Sequence, residues 1–141
     1  MHTLKKGSIS EAVVLLALIR RGYTVSVPWG IVRYDFVIDD GAVLKKMQVK
    51  TGRIRKGCMH FNAYSISPDR QARLLYTPTE VDVFGVYCPD NDAVYLVPNT
   101  GVVSPQLRID PPRHRGRKDG IVWASHFQVD AGKGNGNPRA S

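Results

Sequence analysis

Two cysteines, Cys58 and Cys88, are all that this chain of 141 residues carries. They share no CxxC or Cys/His spacing. This predicts reduced, buried thiols rather than a disulfide or a ligand pair, and points to the cytoplasm. His2, His60, His114 and His126 show no metal-ligand spacing either. Long hydrophobic runs are missing. The longest, residues 12–19, is far too short to cross a bilayer and is flanked like a helix rather than a cleaved signal. No segment repeats. Acids are scarce: 12 Asp and Glu face 20 Lys and Arg, giving a formal net charge of +8 and a pI near 9.8. That balance favours polyanions, either nucleic acid or an anionic membrane surface. The length suits one domain with its own core, taken as residues 1–131. Residues 132–141, rich in Gly, Asn and Pro, read as a flexible tail.

Thr3 is the expected N-cap of a helix over residues 4–21, with Gly22 as its stop and Arg20 and Arg21 at the negative end of its dipole. Residues 23–27, 31–38 and 42–51 alternate as strands. Pro28 and Gly30 separate the first two, and an Asp39-Asp40-Gly41 turn separates the last two. Gly57 breaks the chain before a strand expected over 59–66. Residues 71–76 are ambiguous. Residues 81–87 and 93–97 form an apolar pair about the Pro89-Asp90-Asn91-Asp92 turn. A basic, irregular stretch runs from Pro111 to Lys118, and residues 119–129 suit a short helix carrying Trp123 and Phe127. The expected class is one α/β (α+β) domain, a helix followed by a largely antiparallel sheet.

On this plan an acid, an amide and an amine converge. At 3.6 residues per turn, Glu11 shares a face with Leu4, Ser8, Leu15 and Leu18, where an ionised carboxylate is costly unless paired or bound to metal. The plainer alternative is a marginal Glu11 paired with a nearby Lys or Arg. A two-residue Asp40-Gly41 turn would set Asp39 opposite Ala42 and Asp35 opposite Lys46. Lys46, Gln48 and Lys50 then share the face of Asp35, while Met47 and Val49 join Val32, Tyr34, Phe36 and Ile38 in the core. A solvated face of weak cross-strand ion pairs would use the same residues.

Phosphodiester hydrolysis is the chemistry that uses such a set. A hard divalent cation takes oxygen ligands, here the Asp35 carboxylate, the Gln48 side-chain carbonyl and the Val49 backbone carbonyl, with Glu11 direct, through water or on a second ion. Lys50 would orient the attacking water or balance charge on the phosphate.

These residues resemble the PD-(D/E)XK nuclease superfamily. Its motif is a helical Glu, an Asp opening a hairpin and (D/E)XK on the next strand; Glu11, Asp35 and Gln48-Val49-Lys50 stand at those positions. Tyr34 replaces the Pro before the motif acid. The longer match, Lys6-Gly7, Glu11-Ala12, Arg21-Gly22-Tyr23, Pro28, Tyr34-Asp35, Gln48 to Gly52 and Phe61-Asn62, resembles the group I intron homing endonucleases with QxK for ExK. It covers roughly residues 4–66 and is fainter over 121–127. The resemblance implies a restriction-endonuclease-like core in αβββαβ order, a mixed central sheet flanked by helices. It also implies a Mg²⁺-dependent double-strand DNA endonuclease, with Mn²⁺ as a substitute, acting as a homodimer or higher homo-oligomer. Holliday-junction resolvases share the same arrangement, and Gln48 keeps open a catalytically inactive DNA-binding domain. Expected DNA contacts are Arg33, Lys45, Lys46, Arg53, Arg55 and Lys56 around the hairpin, and Arg113, Arg115, Arg117 and Lys118 after the prolines.

Overall fold

A computed structural model describes residues 3–111 and 120–129. One α-helix, α1 (Thr3–Arg20), opens the chain. Strands follow as β1 (Thr24–Ser26), β2 (Phe36–Asp39), β3 (Leu44–Thr51), β4 (Arg53–Arg55), β5 (Cys58–His60), β6 (Tyr64–Ile66), β7 (Arg73–Leu75), β8 (Val83–Cys88), β9 (Ala93–Pro98), β10 (Gln106–Arg108) and β11 (Gln128–Val129). The central sheet runs β1-β2-β3-β8-β9-β11. It is mixed: β3 and β8 are parallel, with Gln48 beside Phe84 and Lys50 beside Val86, and the other pairs are antiparallel.

Alternation along β8 and β9 sends apolar side chains to both faces, because both faces are covered. On one side, Val14, Ala17 and Leu18 of α1 pack on Phe36, Ile38, Met47, Val49, Val83 and Val94. Gly85 permits that approach. A Cβ there would sit 2.6 Å from Met47 Sδ and 2.8 Å from Val14 Cγ1. On the other side lie Phe84, Val86 and Tyr95, covered by Met59, Phe61, Ala63, Tyr76, Leu107 and Ala124. These come from the three-stranded sheet β10-β5-β4, the residues flanking the β6–β7 pair and the turn at Ala124.

Several expectations change. The second helix of an αβββαβ order has no counterpart among the described residues; β4 to β7 occupy the connection between β3 and β8. The strand expected over 59–66 is two, β5 and β6, separated at residues 61–63, where Phe61 and Ala63 turn into the core. Residues 73–75 of the ambiguous stretch form β7. The helix expected near residue 124 is a single 3₁₀ turn, Ala124–His126. Cys88 is buried and Cys58 half-buried, both as free thiols. No described helix is long and apolar enough to cross a membrane. The stretch expected to be irregular over 112–118 and the tail over 132–141 lie outside the described residues.

The hairpin register is the most consequential change. Phe36 faces Met47 and Asp39 faces Leu44, so Asp35 lies level with Gln48 rather than Lys46. The turn has four residues, 40–43. Asp39 Oδ1 accepts Gly41 N–H at 2.7 Å, and Asp40 Oδ1 accepts Ala42 and Val43 N–H at 2.8 and 2.9 Å. Aspartate side chains that satisfy backbone donors in this way favour the longer turn over a two-residue one. The shift is two residues, an even number, so the faces are kept. The strand expected from residue 31 begins only at Phe36, so alternation fails before it. Val32 is exposed, and Tyr34 packs against the opposite cluster from Phe36.

Candidate active site

The site forms where β2 separates from β3. Asp35 N–H still reaches the Met47 carbonyl at 2.8 Å, the last backbone bond on that edge. The next donor, Val49 N–H, is taken by Asp35 Oδ2 at 2.8 Å. A strand residue's N–H and C=O point the same way, so the Val49 carbonyl faces the same vacated edge. On its other edge β3 stays laddered to β8 through Thr51. A carboxylate, an amide and a backbone carbonyl are therefore held on a rigid strand.

Gln48 is oriented by its neighbours. With its amide nitrogen toward them, it donates to the Arg33 carbonyl at 2.7 Å and to Asp35 Oδ2 at 3.2 Å. Lys50, two residues on and on the same face, donates to the Tyr64 carbonyl at 2.9 Å and lies 4.8 Å from the centre of the Tyr76 ring. Burial pushes the Lys50 ammonium below its ordinary pKa. The Asp35 charge opposes that shift and the Arg33 charge adds to it.

Glu11 stands differently from expectation. The buried stripe of α1 is Ser10, Val14, Ala17 and Leu18, and Glu11 lies on the exposed margin beside it. Ser8 and Leu15 are likewise outside the fully buried set. From that margin Glu11 comes within hydrogen-bonding reach of Asp35. Burial raises its carboxyl pKa, and the Asp35 charge and hydrogen bond raise it further. Burial also raises Asp35, against the lowering effects of Val49 N–H, Glu11 and Lys50. Two carboxyls held together resist double ionisation. A cation between them relieves that repulsion, so the donor set suits a hard divalent ion: two carboxylates, a backbone carbonyl and, with the Gln48 amide turned over, its carbonyl, all oxygen. Among the described residues no cluster of three or more His, Cys, Asp or Glu stands ready to hold a metal, because Gln48 occupies the third acidic position.

Sequence reasoning missed the supports. Ser10, 2 % exposed, bonds Thr51 across the core, Oγ to Oγ1 at 2.6 Å. This contact fixes α1, and so Glu11, against the end of β3. A lone serine four residues before Val14 on the apolar stripe was the available signal. Tyr76 and Tyr64 gave none.

The expected DNA contacts divide into three groups. Arg33 is engaged within the chain. Its guanidinium pairs with Glu80 at 3.0 Å, donates to the Leu74 and Leu75 carbonyls and to Ser65 Oγ, and stacks 4.1 Å over Tyr76. It braces the floor beneath Lys50. Lys46 Nζ donates to the Thr79 carbonyl. Lys45, Arg53, Arg55 and Lys56 are exposed, while Arg113, Arg115, Arg117 and Lys118 lie outside the described residues.

Helix, mixed sheet and separated strand edge are the geometry of a known nuclease class, and comparison places the chain there. The family model described as PD-(D/E)XK endonuclease matches residues 1–130, and the chain belongs to that family. Among solved structures it is similar to the bacterial homing endonuclease I-Ssp6803I. The TM-score is 0.70 at 20% identity, over 91% of this chain and 89% of that one. No curated protein matches it in sequence.

Proposed function

We propose that this nuclease is a metal-dependent, site-specific endonuclease of the homing type that hydrolyses both strands of duplex DNA. The observation that carries the reading is the Glu11–Asp35 carboxyl pair at the edge β2 vacates, with Gln48 and Lys50 on the same face of β3. Mg²⁺ or Mn²⁺ bound there would polarise the scissile phosphate and make water at the site more acidic. Glu11, Asp35, Gln48 and the Val49 carbonyl would hold it.

The chain's own groups do the remainder. Lys50 sits in a half-buried position that favours its neutral form more than water does, so it can exchange a proton with the attacking water. In its charged form it balances the phosphorane-like charge. Tyr76, itself stacked on Arg33, and the Tyr64 carbonyl hold its side chain in place. Gln48 removes one negative charge relative to an acid at that position, and Glu11 restores it from the helix.

One centre cuts one strand, so a double-strand break takes a second copy of the chain. A self-complementary surface for it is the outward stripe of α1, where Ile9, Leu16 and Ile19 are exposed beside Ala12. The test is cleavage of supercoiled plasmid and of four-way junctions with Mg²⁺. Discrete linear products from plasmid support homing-type cleavage, and symmetric cuts confined to the junction support a resolvase. Binding without nicking in Mg²⁺ or Mn²⁺ contradicts the enzyme reading.

A further inference from the structure

The three-stranded sheet β10-β5-β4 begins three residues after Lys50, at Arg53, so it lies within about 10 Å of chain from the reactive centre. Its inner row is Ile54, Met59 and Leu107, packed in the core. Strand parity turns the rows on either side outward. His60 of β5 stands between Arg53 of β4 and Gln106 of β10, and Cys58 stands between Arg55 and Arg108.

Not every outward residue is available. Arg108 is tied to the Asp110 and Lys56 carbonyls and to Cys58 Sγ, and His60 Nε2 to the Arg55 carbonyl. Arg53, Arg55 and Gln106 keep exposed heads. With Thr51, Asn62 and Ser104 they line a polar groove of about 370 Å³.

We propose that this face reads bases: with the β4–β5 ribbon in the major groove beside the cut, Arg53 and Arg55 of β4 and Gln106 of the adjoining β10 contact base edges. The inference rests on duplex DNA being the substrate. Composition separates base reading from phosphate binding. Neutral heads such as Gln106, Asn62 and Ser104 release no counterions and add little to backbone affinity. An amide instead matches the N6 and N7 edge of adenine, and a guanidinium matches O6 and N7 of guanine.

The shape also suits the groove. Lys56 and Gly57 close the ribbon in a two-residue turn with φ of 52° and 77°, the positive pair that a tight hairpin requires. A two-stranded ribbon fits the major groove. Arg53 to Gln106 spans two strand spacings, about 10 Å, or roughly three base-pair steps. Gly52 seats the sheet by letting Met59 and Val86 close on the backbone; a Cβ there would lie 2.7 Å from Met59 Sδ.

The test starts from duplexes selected from a random pool by the full wild-type chain. Affinity is then measured for the selected site and its single-base variants across salt concentrations. Arg53→Ala and Gln106→Ala should each lose about 10- to 100-fold discrimination at one or two base pairs, with the salt slope unchanged for Gln106→Ala. Gln106→Glu should move the preference from adenine to cytosine at its position, an outcome misfolding cannot mimic. Uniform weakening at every position, with the Arg53→Ala salt slope falling by about one, would mark phosphate contacts and overturn the proposal. So would tight duplex binding by wild type with no sequence enriched. Failure of wild type to bind or cut any duplex would instead remove the underlying nuclease reading, and it would be seen before any variant is made.

Discussion

The two edges of β3 differ along the same eight residues. Toward β8 the parallel ladder is complete from Met47 to Thr51. Toward β2 it stops at Phe36 and Met47, and the Asp35 carboxylate takes the place of the next strand's carbonyl. The complete edge buries apolar side chains on both faces and supplies rigidity. The broken edge supplies unpaired backbone and polar heads at fixed positions. A catalytic centre needs both, since groups that must bind a metal and a phosphate cannot also serve the ladder.

The largest effect should come from breaking the open edge. Asp35→Asn keeps the shape but removes the charge, and Mg²⁺-dependent cleavage should fall by at least about 10²-fold in single-turnover assays. Next is the closed edge. Gly85→Ala forces a methyl between Met47 and Val14, and denaturant unfolding should show a loss of about 1–3 kcal/mol.

The pH dependence follows from the raised carboxyls. Asp35 and Glu11 bind protons more tightly in the folded chain than at their ordinary values of 3.8 and 4.5. The pair's contribution to metal-free stability should therefore be greatest below those values and decline as pH rises through the window above them. Glu11→Gln should flatten that decline, as melting temperatures across pH would record, and added Mg²⁺ should do so for wild type alone. The smallest effect belongs to the floor. Arg33→Ala loses a solvent-screened ion pair with Glu80 and the guanidinium's bonds to Ser65 and to the Leu74 and Leu75 carbonyls, which melting temperature would record. It should also move Lys50 upward toward its ordinary pKa, which NMR of the lysine side chain would follow.

How far these edges could be read in advance depended on which physics was local. Alternation is a property of neighbouring residues. Gln48 and Lys50 therefore share one face of β3 even though the register was two residues out. The register was not local, since it turned on two aspartates capping Gly41, Ala42 and Val43. Helical spacing placed Glu11 near the site but on the wrong side of the stripe boundary, because the boundary is drawn by what packs on α1, here Val49 and Val83. Arg33 read as a solvent-facing base. Its partners, Glu80 and the Leu74 and Leu75 carbonyls, lie more than forty residues away. The Ser10–Thr51 bond spans a similar separation, and no spacing rule reaches it.

The central claim is that the open edge of β3 is a hydrolytic centre with Lys50 as a reacting group. One preparation each of wild type and Lys50→Ala, assayed for Mg²⁺-dependent DNA cleavage and for DNA binding, tests it most directly. Wild type should cleave, and Lys50→Ala should bind with similar affinity while losing at least about 10²-fold in cleavage rate. Equal cleavage by both proteins, or binding by wild type with no Mg²⁺- or Mn²⁺-dependent nicking at all, would contradict it.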